Sequence, residues 1–571
     1  MADPAQQAPG AAGEALDPRR WIALGVVLTA SFMVLLDISI VNVAIPSIQR
    51  NLGASNAQIQ FVLAGYQLAY AVVLITGGRL GDIFGRKRLF MIGMAGFTAA
   101  SALCGLAPTA NVLVGARVLQ GLMASLMYPQ VLSVIQVSFP PRERGTAFSV
   151  FGAIIGIATI SGPLAGGLLI GSDLTGSSWR RIFLVNVPIG VASLLAALFL
   201  LHESRAPQAK RLDIPGVAIV SAGLFLLTYP LVEGRDAGWP LWAFAMLAGA
   251  APVLAAFVRF EQIKTARGDT SPLIELSLFR IRSFTLGAAL SFLFLSTIPA
   301  FFLIFSLSLQ IGLGYSALHA GLTTTPFSLG SAIGSVASAR LAPRFGKRLL
   351  QTGCVLLIAG MGGIVLTMNA RGTSLDGPEL IPALLVCGLG LGSIVAPLIT
   401  ILLQGVPPRD AGSASGVIAT AQQVGGAMGV AVIGVIFFGL LGARADTASA
   451  SVTPALSQRL AAAGLPASGI GSALEGFRIC FHDRAASTDQ SAEPPSCRAL
   501  RQRESAGPSS AAVAAAFRDA GQTALGEDFI SSFERSLIYE VGVFALTFVL
   551  FAFIPERRPG RSAAAGAAAA H

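Results

Sequence analysis

Charge is the scarcest commodity in this chain. Asp, Glu, Lys and Arg make up 12% of its 571 residues, where a soluble chain carries roughly a quarter. So little charge cannot clothe a globule of this length, which argues against a soluble enzyme. Cysteine is scarce as well: five residues are too few for a disulfide scaffold. Cys104, Cys354 and Cys387 fall inside apolar runs and read as small core residues. Histidine occurs four times, at 202, 319, 482 and 571, too scattered for a metal site or a nucleophile–base pair. No G-x-x-x-x-G-K-[ST] run is present, so the phosphate cradle of an ATPase is missing. No cofactor, no metal and no enzymatic activity are expected. The net charge of +10 does not point to nucleic acid, because the cations lie between apolar runs instead of along one face.

What is abundant is apolar sequence, 54% of the chain, in runs of about 20 residues that match a ~30 Å hydrocarbon core. The reading is an all-α polytopic membrane protein with fourteen spans. Residues 1–20 form a polar tail without the features of a cleavable leader. Six spans occupy 21–201, and an inserted pair with linkers occupies 202–282. Five more spans fill 283–441; a long connection runs over 442–536, the last span is 537–554, and 555–571 is a second tail. With both tails in the cytoplasm, 24 Lys and Arg fall on that side and five (Arg50, Arg180, Arg181, Arg235, Arg371) in the short outer loops. That asymmetry obeys the positive-inside rule.

Two loops recur. Arg79-Leu80-Gly81-Asp82-Ile83-Phe84-Gly85-Arg86-Lys87 is echoed by Arg340-Leu341-Ala342-Pro343-Arg344-Phe345-Gly346-Lys347-Arg348, an offset of 261. Pro140-Pro141-Arg142-Glu143-Arg144-Gly145 is echoed by Pro407-Pro408-Arg409-Asp410-Ala411-Gly412, an offset of 267. Two homologous six-span halves are therefore expected, with a substrate site between them near mid-membrane. The first loop, Gly78, Arg79, Gly81, Asp82, Gly85, Arg86 and Lys87 within 77–88, reads as a gate hinge in which glycines permit tight turning. Asp82 has Pro343 as its counterpart, so that charge exists once.

Three spans carry unusual chemistry. In span 1 (21–46), Asp37 puts a carboxylate inside an apolar helix at a cost of roughly 2.5–3.5 kcal/mol. Burial disfavours its ionised form, so the group can gain and lose a proton; a structural aspartate bonded to polar neighbours is the alternative. In span 4 (111–138), Arg117, Gln120 and Gly121 share a face. Arg117 cannot lose its proton, so it meets a cavity or an anion, with Asp37 the obvious candidate, unless it snorkels to the outer interface. In span 5 (145–171), Gly152, Gly156 and Gly162-Pro163-Leu164-Ala165-Gly166-Gly167 allow close helix contact and a bend.

These stretches resemble the major facilitator superfamily of secondary transporters. The likeness is greatest to its fourteen-span drug:proton antiporter branch, over about 20–440 and the last span. Ser39, Met123 and Ala158 stand where that branch usually has Thr, a small residue and Gly. Trp179–Gly190, Leu212–Gly216 and Pro272–Phe284 match the same branch. The resemblance implies proton coupling at Asp37 with Arg117, export from the span-5 motif (Gly156, Gly162, Pro163, Gly166, Gly167), and an Asp82 that locks the inner gate near Asp410 to Gly412.

Asp37, Tyr66, Gln67, Tyr70, Gln120, Gln130, Gln422 and Gln423, with Gln136, are candidate cavity residues; interhelical hydrogen bonding is the alternative for each. The 442–536 connection is expected to be an outer loop, only partly ordered, with helical pieces near 453–464 and 510–524. Cys480 and Cys497 within it face an oxidising compartment, as a disulfide or as two free thiols. The expected function is a proton-coupled antiporter exporting lipophilic small molecules, cations among them, such as drugs, antibiotics or secondary metabolites. It would act as a monomer in the cytoplasmic membrane, with protons, substrate and bilayer as partners. A lipid or amino-acid exporter of the same fold, or a membrane sensor or scaffold, are the alternatives.

Overall fold

The computed structural model describes residues 18–171, 179–205, 212–234, 237–267, 272–274, 276–403, 411–487, 493–504 and 510–554. Among them there is no strand. The helices are α1 (Arg20–Leu52), α2 (Asn56–Phe84), α3 (Arg86–Leu106), α4 (Ala110–Ser138), α5 (Pro141–Gly171), α6 (Arg180–Leu184), α7 (Asn186–Leu200), α8 (Ile214–Glu233) and α9 (Leu241–Ala266). They continue as α10 (Arg282–Leu307), α11 (Ala317–Phe345), α12 (Lys347–Arg371), α13 (Ile381–Leu403), α14 (Ala411–Ala462), α15 (Ala467–Ala486), α16 (Pro495–Glu504) and α17 (Ser510–Ala552). Among the described residues, 12 helical stretches are long and apolar enough to cross a membrane. α5 and α11, with 31 and 29 residues, match them in length.

Local chemistry places the helix ends. Ser55 caps α2 through the Gln58 amide, and the Gln58 side chain answers on the Ser55 N–H, so two orphan donors are satisfied together. Thr109 and Ser316 cap α4 and α11 in the same one-sided way. Gly85, at φ 113°, is the single non-helical residue between α2 and α3, and Gly346, at φ 50°, stands between α11 and α12. Both backbones lie where only glycine is unstrained, so each copy of the repeat breaks its helix at a positive-φ glycine, although ψ differs, 134° at Gly85 and −128° at Gly346. Lys87 donates to the Leu198 carbonyl at the end of α7, and Lys347 to the Ala552 carbonyl at the end of α17. The lysines thus tie each half's third helix to its sixth, at a carbonyl end that favours a cation.

α1 to α7 form one bundle and α10 to α14 with α17 the other. The bundles meet where α5 packs on α11 and where α2 packs on α14; α8 and α9 pair with each other, and α8 touches both α2 and α14. Small residues set these approaches. A Cβ on Gly321 would collide with the Pro163 carbonyl, and one on Gly167 would come within 2.9 Å of Leu318 Cα.

Two expectations are corrected. The basic stretch 77–88 is helical up to Phe84, so Gly78 and Gly81 do not turn the chain; they let α4 approach. A Cβ at Gly81 would strike Gln130 Oε1, and one at Gly78 would reach Pro129. The 442–536 segment is not a loop with short helical pieces. α14 runs unbroken for 52 residues to Ala462, and α17 begins at Ser510. Alanine-rich sequence is the best helix former, and here it also buries a core. Val452, Leu456, Leu460, Phe477, Phe481, Val513 and Phe517 pack together as a helical extension. A Cys480–Cys497 disulfide, 17 residues apart, joins α15 to α16. A closed loop of this size is worth about 3 kcal/mol in the chain-entropy account.

Candidate functional site

Asp37, near the middle of α1, has no exposed surface, and Arg117 on α4 is 1% exposed. Arg117 Nη1 donates to Asp37 Oδ2, and also to Gln120 Oε1 at 2.7 Å. Gln120 Nε2 returns a bond to Asp37 Oδ1 at 2.9 Å. Arg117 Nε donates to the Val62 carbonyl at 3.0 Å, and the guanidinium lies 4.2 Å from the Tyr66 ring centroid. Arg117 is therefore a buried ion-pair partner, not a snorkelling cation.

Sequence reasoning missed three members of this cluster. Asn186 Nδ2 reaches Asp37 Oδ1 at 3.3 Å and Ser101 Oγ at 3.1 Å, and Ser101 Oγ donates to the Phe183 carbonyl. Cys104 Sγ points at Gln120 Oε1, 3.6 Å away. The signal for Asn186 was its place in the Trp179–Gly190 stretch, between two apolar turns. Ser101 and Cys104 gave none, since small polar residues in spans are common. The network draws one side chain or carbonyl from each of α1, α2, α3, α4, α6 and α7, so nearly the whole first bundle is keyed to one carboxylate.

Asp37 pairs with Arg117 and accepts three N–H groups, from Arg117, Gln120 and Asn186. Arg117 is held besides by Gln120 Oε1, the Val62 carbonyl and the Tyr66 face, a cation–π contact of about 2 kcal/mol when desolvated.

α1 carries this site to the bundle interface. Two residues beyond Asp37, Ser39 packs on Gly162 so closely that a Cβ there would overlap its Oγ. Ser306 and Gln310 donate across to the Asn42 and Val43 carbonyls at 2.6 and 2.9 Å. The space left among Ser39, Asn42, Pro163, Ser306 and Thr324 is about 10 Å³, room for one water. Gly166 rests on Ile40, and Gly167 on α11. The surroundings of Gly152, Gly156 and Gln136 lie outside the described residues.

The remaining candidates divide. Tyr66 and Tyr70 are buried, with ring centroids 6.2 Å apart, and Tyr128 extends the row at 6.1 Å from Tyr70. Gln67 Oε1 is buried without a partner and faces Gly426 on α14, at the bundle interface. Gln422 and Gln423 are half-buried on the same helix. Gln130 is a seam residue and not a cavity residue: its Nε2 donates to the Gly77 and Leu126 carbonyls. Gln120 likewise spends its amide within the network.

At the end where α2 meets α3, Asp82 pairs with Arg86 at 2.8 Å, one helical turn on. Asp410, the expected neighbour of Asp82, lies outside the described residues. Arg79 donates to the Pro272 and Leu273 carbonyls. That strap is held in turn by Asp213, which accepts from Leu273 N and Gly216 N and pairs with Lys264 at 3.0 Å. The Leu212–Gly216 and Pro272–Phe284 stretches thus fasten α8 and α9 to the gating helix. Glu203 accepts from the backbone of Lys87 and Arg88, capping α3 with a carboxylate at its positive end.

Two six-helix bundles joined by glycine-lined seams, with an ion pair buried in one of them, define a membrane transporter of the alternating two-bundle class. The Major Facilitator Superfamily model matches residues 27–430, and the chain belongs to that family. It is 41% identical over 557 residues to the "Probable actinorhodin transporter" of Streptomyces coelicolor, covering 97% of this chain and 95% of that one. It is 37% identical to the "Puromycin resistance protein pur8" of Streptomyces alboniger, covering 75% and 84%. It is 34% identical to the "Tetracenomycin C resistance and export protein" of Streptomyces glaucescens, covering 74% and 77%. In fold it resembles a bacterial homolog of the human lysosomal transporter Spinster in an inward-facing conformation, with TM-score 0.56, 16% identity, and coverage of 96% and 100%.

Proposed function

We propose that this protein is a proton-coupled antiporter that exports lipophilic small molecules, of the antibiotic or secondary-metabolite kind, across the cytoplasmic membrane. The observation that carries the reading is the Asp37–Arg117 pair, buried at 0% and 1% exposure and hydrogen-bonded by Gln120 and Asn186. Relatives named for actinorhodin, puromycin and tetracenomycin C support polycyclic or aromatic cargo. Fourteen spans with both termini inside agree with the distribution of Lys and Arg, which supports a cytoplasmic Gly85 end and an outer α14–α17 extension.

In this reading, α1 is the coupling element. Neutralising Asp37 weakens its hold on Arg117, and the same helix makes the Ser39–Gly162 and Asn42–Ser306 contacts that close the outer side. The row of Tyr66, Tyr70 and Tyr128 and the amides of Gln67, Gln422 and Gln423 would receive an aromatic cargo. The cavity of about 820 Å³ bounded by Arg50, Gln310, Arg484 and Gln522 lies under the extension, on the exit side. Each proton crossing 100 mV supplies about 2.3 kcal/mol, enough to concentrate cargo without ATP.

The test is efflux of ethidium from loaded cells, with and without an uncoupler, for wild type and Asp37→Asn. Uncoupler-sensitive efflux that Asp37→Asn abolishes is expected. Uphill efflux by Asp37→Asn at the wild-type rate under ΔpH alone would refute the assignment.

A further inference from the structure

The second bundle holds a carboxylate that the Asp37 network does not reach. Glu540 on α17 has no exposed surface, and neither of its oxygens has a hydrogen-bond partner. It interrupts an otherwise apolar stripe of Phe533, Leu537 and Phe544, each at most 1% exposed. The Phe544 ring packs on Phe294 of α10 at 5.8 Å. Where Asp37 has a guanidinium and two amides, Glu540 has hydrocarbon.

A second set of buried polar groups leads to it. Asp528, Ser532, Ser536 and Glu540 recur every four residues, on one face of α17, and all are at most 1% exposed. Ser532 Oγ lies 3.5 Å from Asp528 Oδ1, and Asp528 Oδ2 is also without a partner. The run covers about 18 Å of helix, from the extension down into the bundle. Packing alone does not call for an unpartnered carboxyl, a second one bonded through a single oxygen, and two hydroxyls at this spacing in a row of phenylalanines.

The charged groups around α17 lie on either side of Glu540 along the helix. Arg444 of α14 acts on Asp528 and Glu534, and Arg535 acts on Glu534. Lys347 of α12 binds the Ala552 carbonyl at the other end, and α10 contributes Arg282 at its start. Arg371, at the far end of α12, pairs with Glu379, and the arginines of α16 belong to the extension. Level with Glu540, the Cys387 thiol of α13 is the titratable group that feels it, and Tyr539 is beside it in sequence, bonded to Ser296 of α10.

We propose that Glu540 is a second proton-carrying site, loaded from the outer end along Asp528, Ser532 and Ser536 and separate from the Asp37–Arg117 pair. Loading moves one proton from water to the Glu540 carboxylate, and unloading returns it on the cytoplasmic side. Each serine accepts a proton on a lone pair and releases its own, so only O–H bonds are made and broken. In this conformation Ser536 Oγ donates to the Ser532 carbonyl at 2.7 Å, away from Glu540. Rotation of that hydroxyl is the step that completes the path. The role as a transport proton rests on the exporter reading; the presence of a protonated Glu540 does not.

Two measurements separate these. Purified wild-type protein is treated with dicyclohexylcarbodiimide, which attacks protonated carboxyls in apolar surroundings, and the adduct is mapped by mass spectrometry. Modification at Glu540 at neutral pH is expected, with Asp37, held by Arg117, spared. In proteoliposomes, protons released are counted against ethidium moved for wild type, E540Q and the S532A/S536A variant. E540Q should lower that ratio, which a merely structural role would not change; S532A/S536A, which keeps Glu540, should slow proton release by an order of magnitude. An unmodified Glu540, or an unaltered proton-to-ethidium ratio in E540Q, overturns the proposal. Modified Glu540 in a wild type that moves no ethidium supports the site and overturns the exporter reading instead.

Discussion

Removing Asp37 alone from its pair with Arg117 should cost more than removing both partners together. Loss of one member of a buried pair typically costs about 3–5 kcal/mol, because a bare charge stays behind. The surroundings grade that cost here. In Asp37→Asn the guanidinium remains charged at any pH, but Gln120 Oε1, the Val62 carbonyl and the Tyr66 ring still hold it. A loss near the lower limit, about 3 kcal/mol, follows. In Arg117→Met the carboxyl keeps its Gln120 and Asn186 donors and can take up a proton, so about 2 kcal/mol is expected. The double variant leaves no bare charge, and a methionine fills most of the arginine's volume. Its loss should be no larger than that of Arg117→Met alone. The coupling energy is then at least about 3 kcal/mol, well above the value of an exposed pair. Unfolding of the purified protein in mixed micelles, titrated with dodecyl sulfate, gives the four stabilities. Additive losses within about 0.5 kcal/mol would refute the reasoning, since the two groups would then be independent.

Two further outcomes are expected. Gly162→Ala places a methyl against Ser39 and should abolish ethidium efflux while the protein still reaches the membrane; Ser39→Gly in the same chain should restore it, because the clash is with that one side chain. Asp82→Asn should lower efflux without altering stability measurably, since the Asp82–Arg86 pair has side-chain exposures of 38% and 13% and contributes less than about 1 kcal/mol. Wild-type efflux by Asp82→Asn would remove it from the gate.

The sequence pointed to Asp37 and Arg117 for one reason: a charged group in a long apolar helix must be compensated. The same reasoning was available at Glu540, the one acidic residue of the last span, and would have found it. Gln130 illustrates the opposite failure. Its amide looked like cavity lining, and only the approach of Gly81 and the Gly77 carbonyl reveals a seam. The 442–536 segment misled for another reason: its Ala, Ser and Gly content suggests disorder, while its helices are held in one apolar cluster by residues as remote in sequence as Val452 and Phe517. No local pattern reports such contacts.

Composition and run length were enough to dictate a helical membrane protein, because apolar runs of about 20 residues fit a helix across oil, whereas a strand of a closed barrel needs only about half that length. The offset repeats at Gly85 and Gly346 dictated two halves, since those glycines sit where a Cβ is strained. Which polar residues meet was decided by tertiary packing alone. Ser101 and Asn186 reach Asp37, and Ser306 reaches Asn42, only because helices remote in sequence approach within a few ångströms, and side-chain periodicity along one helix carries no record of its neighbours.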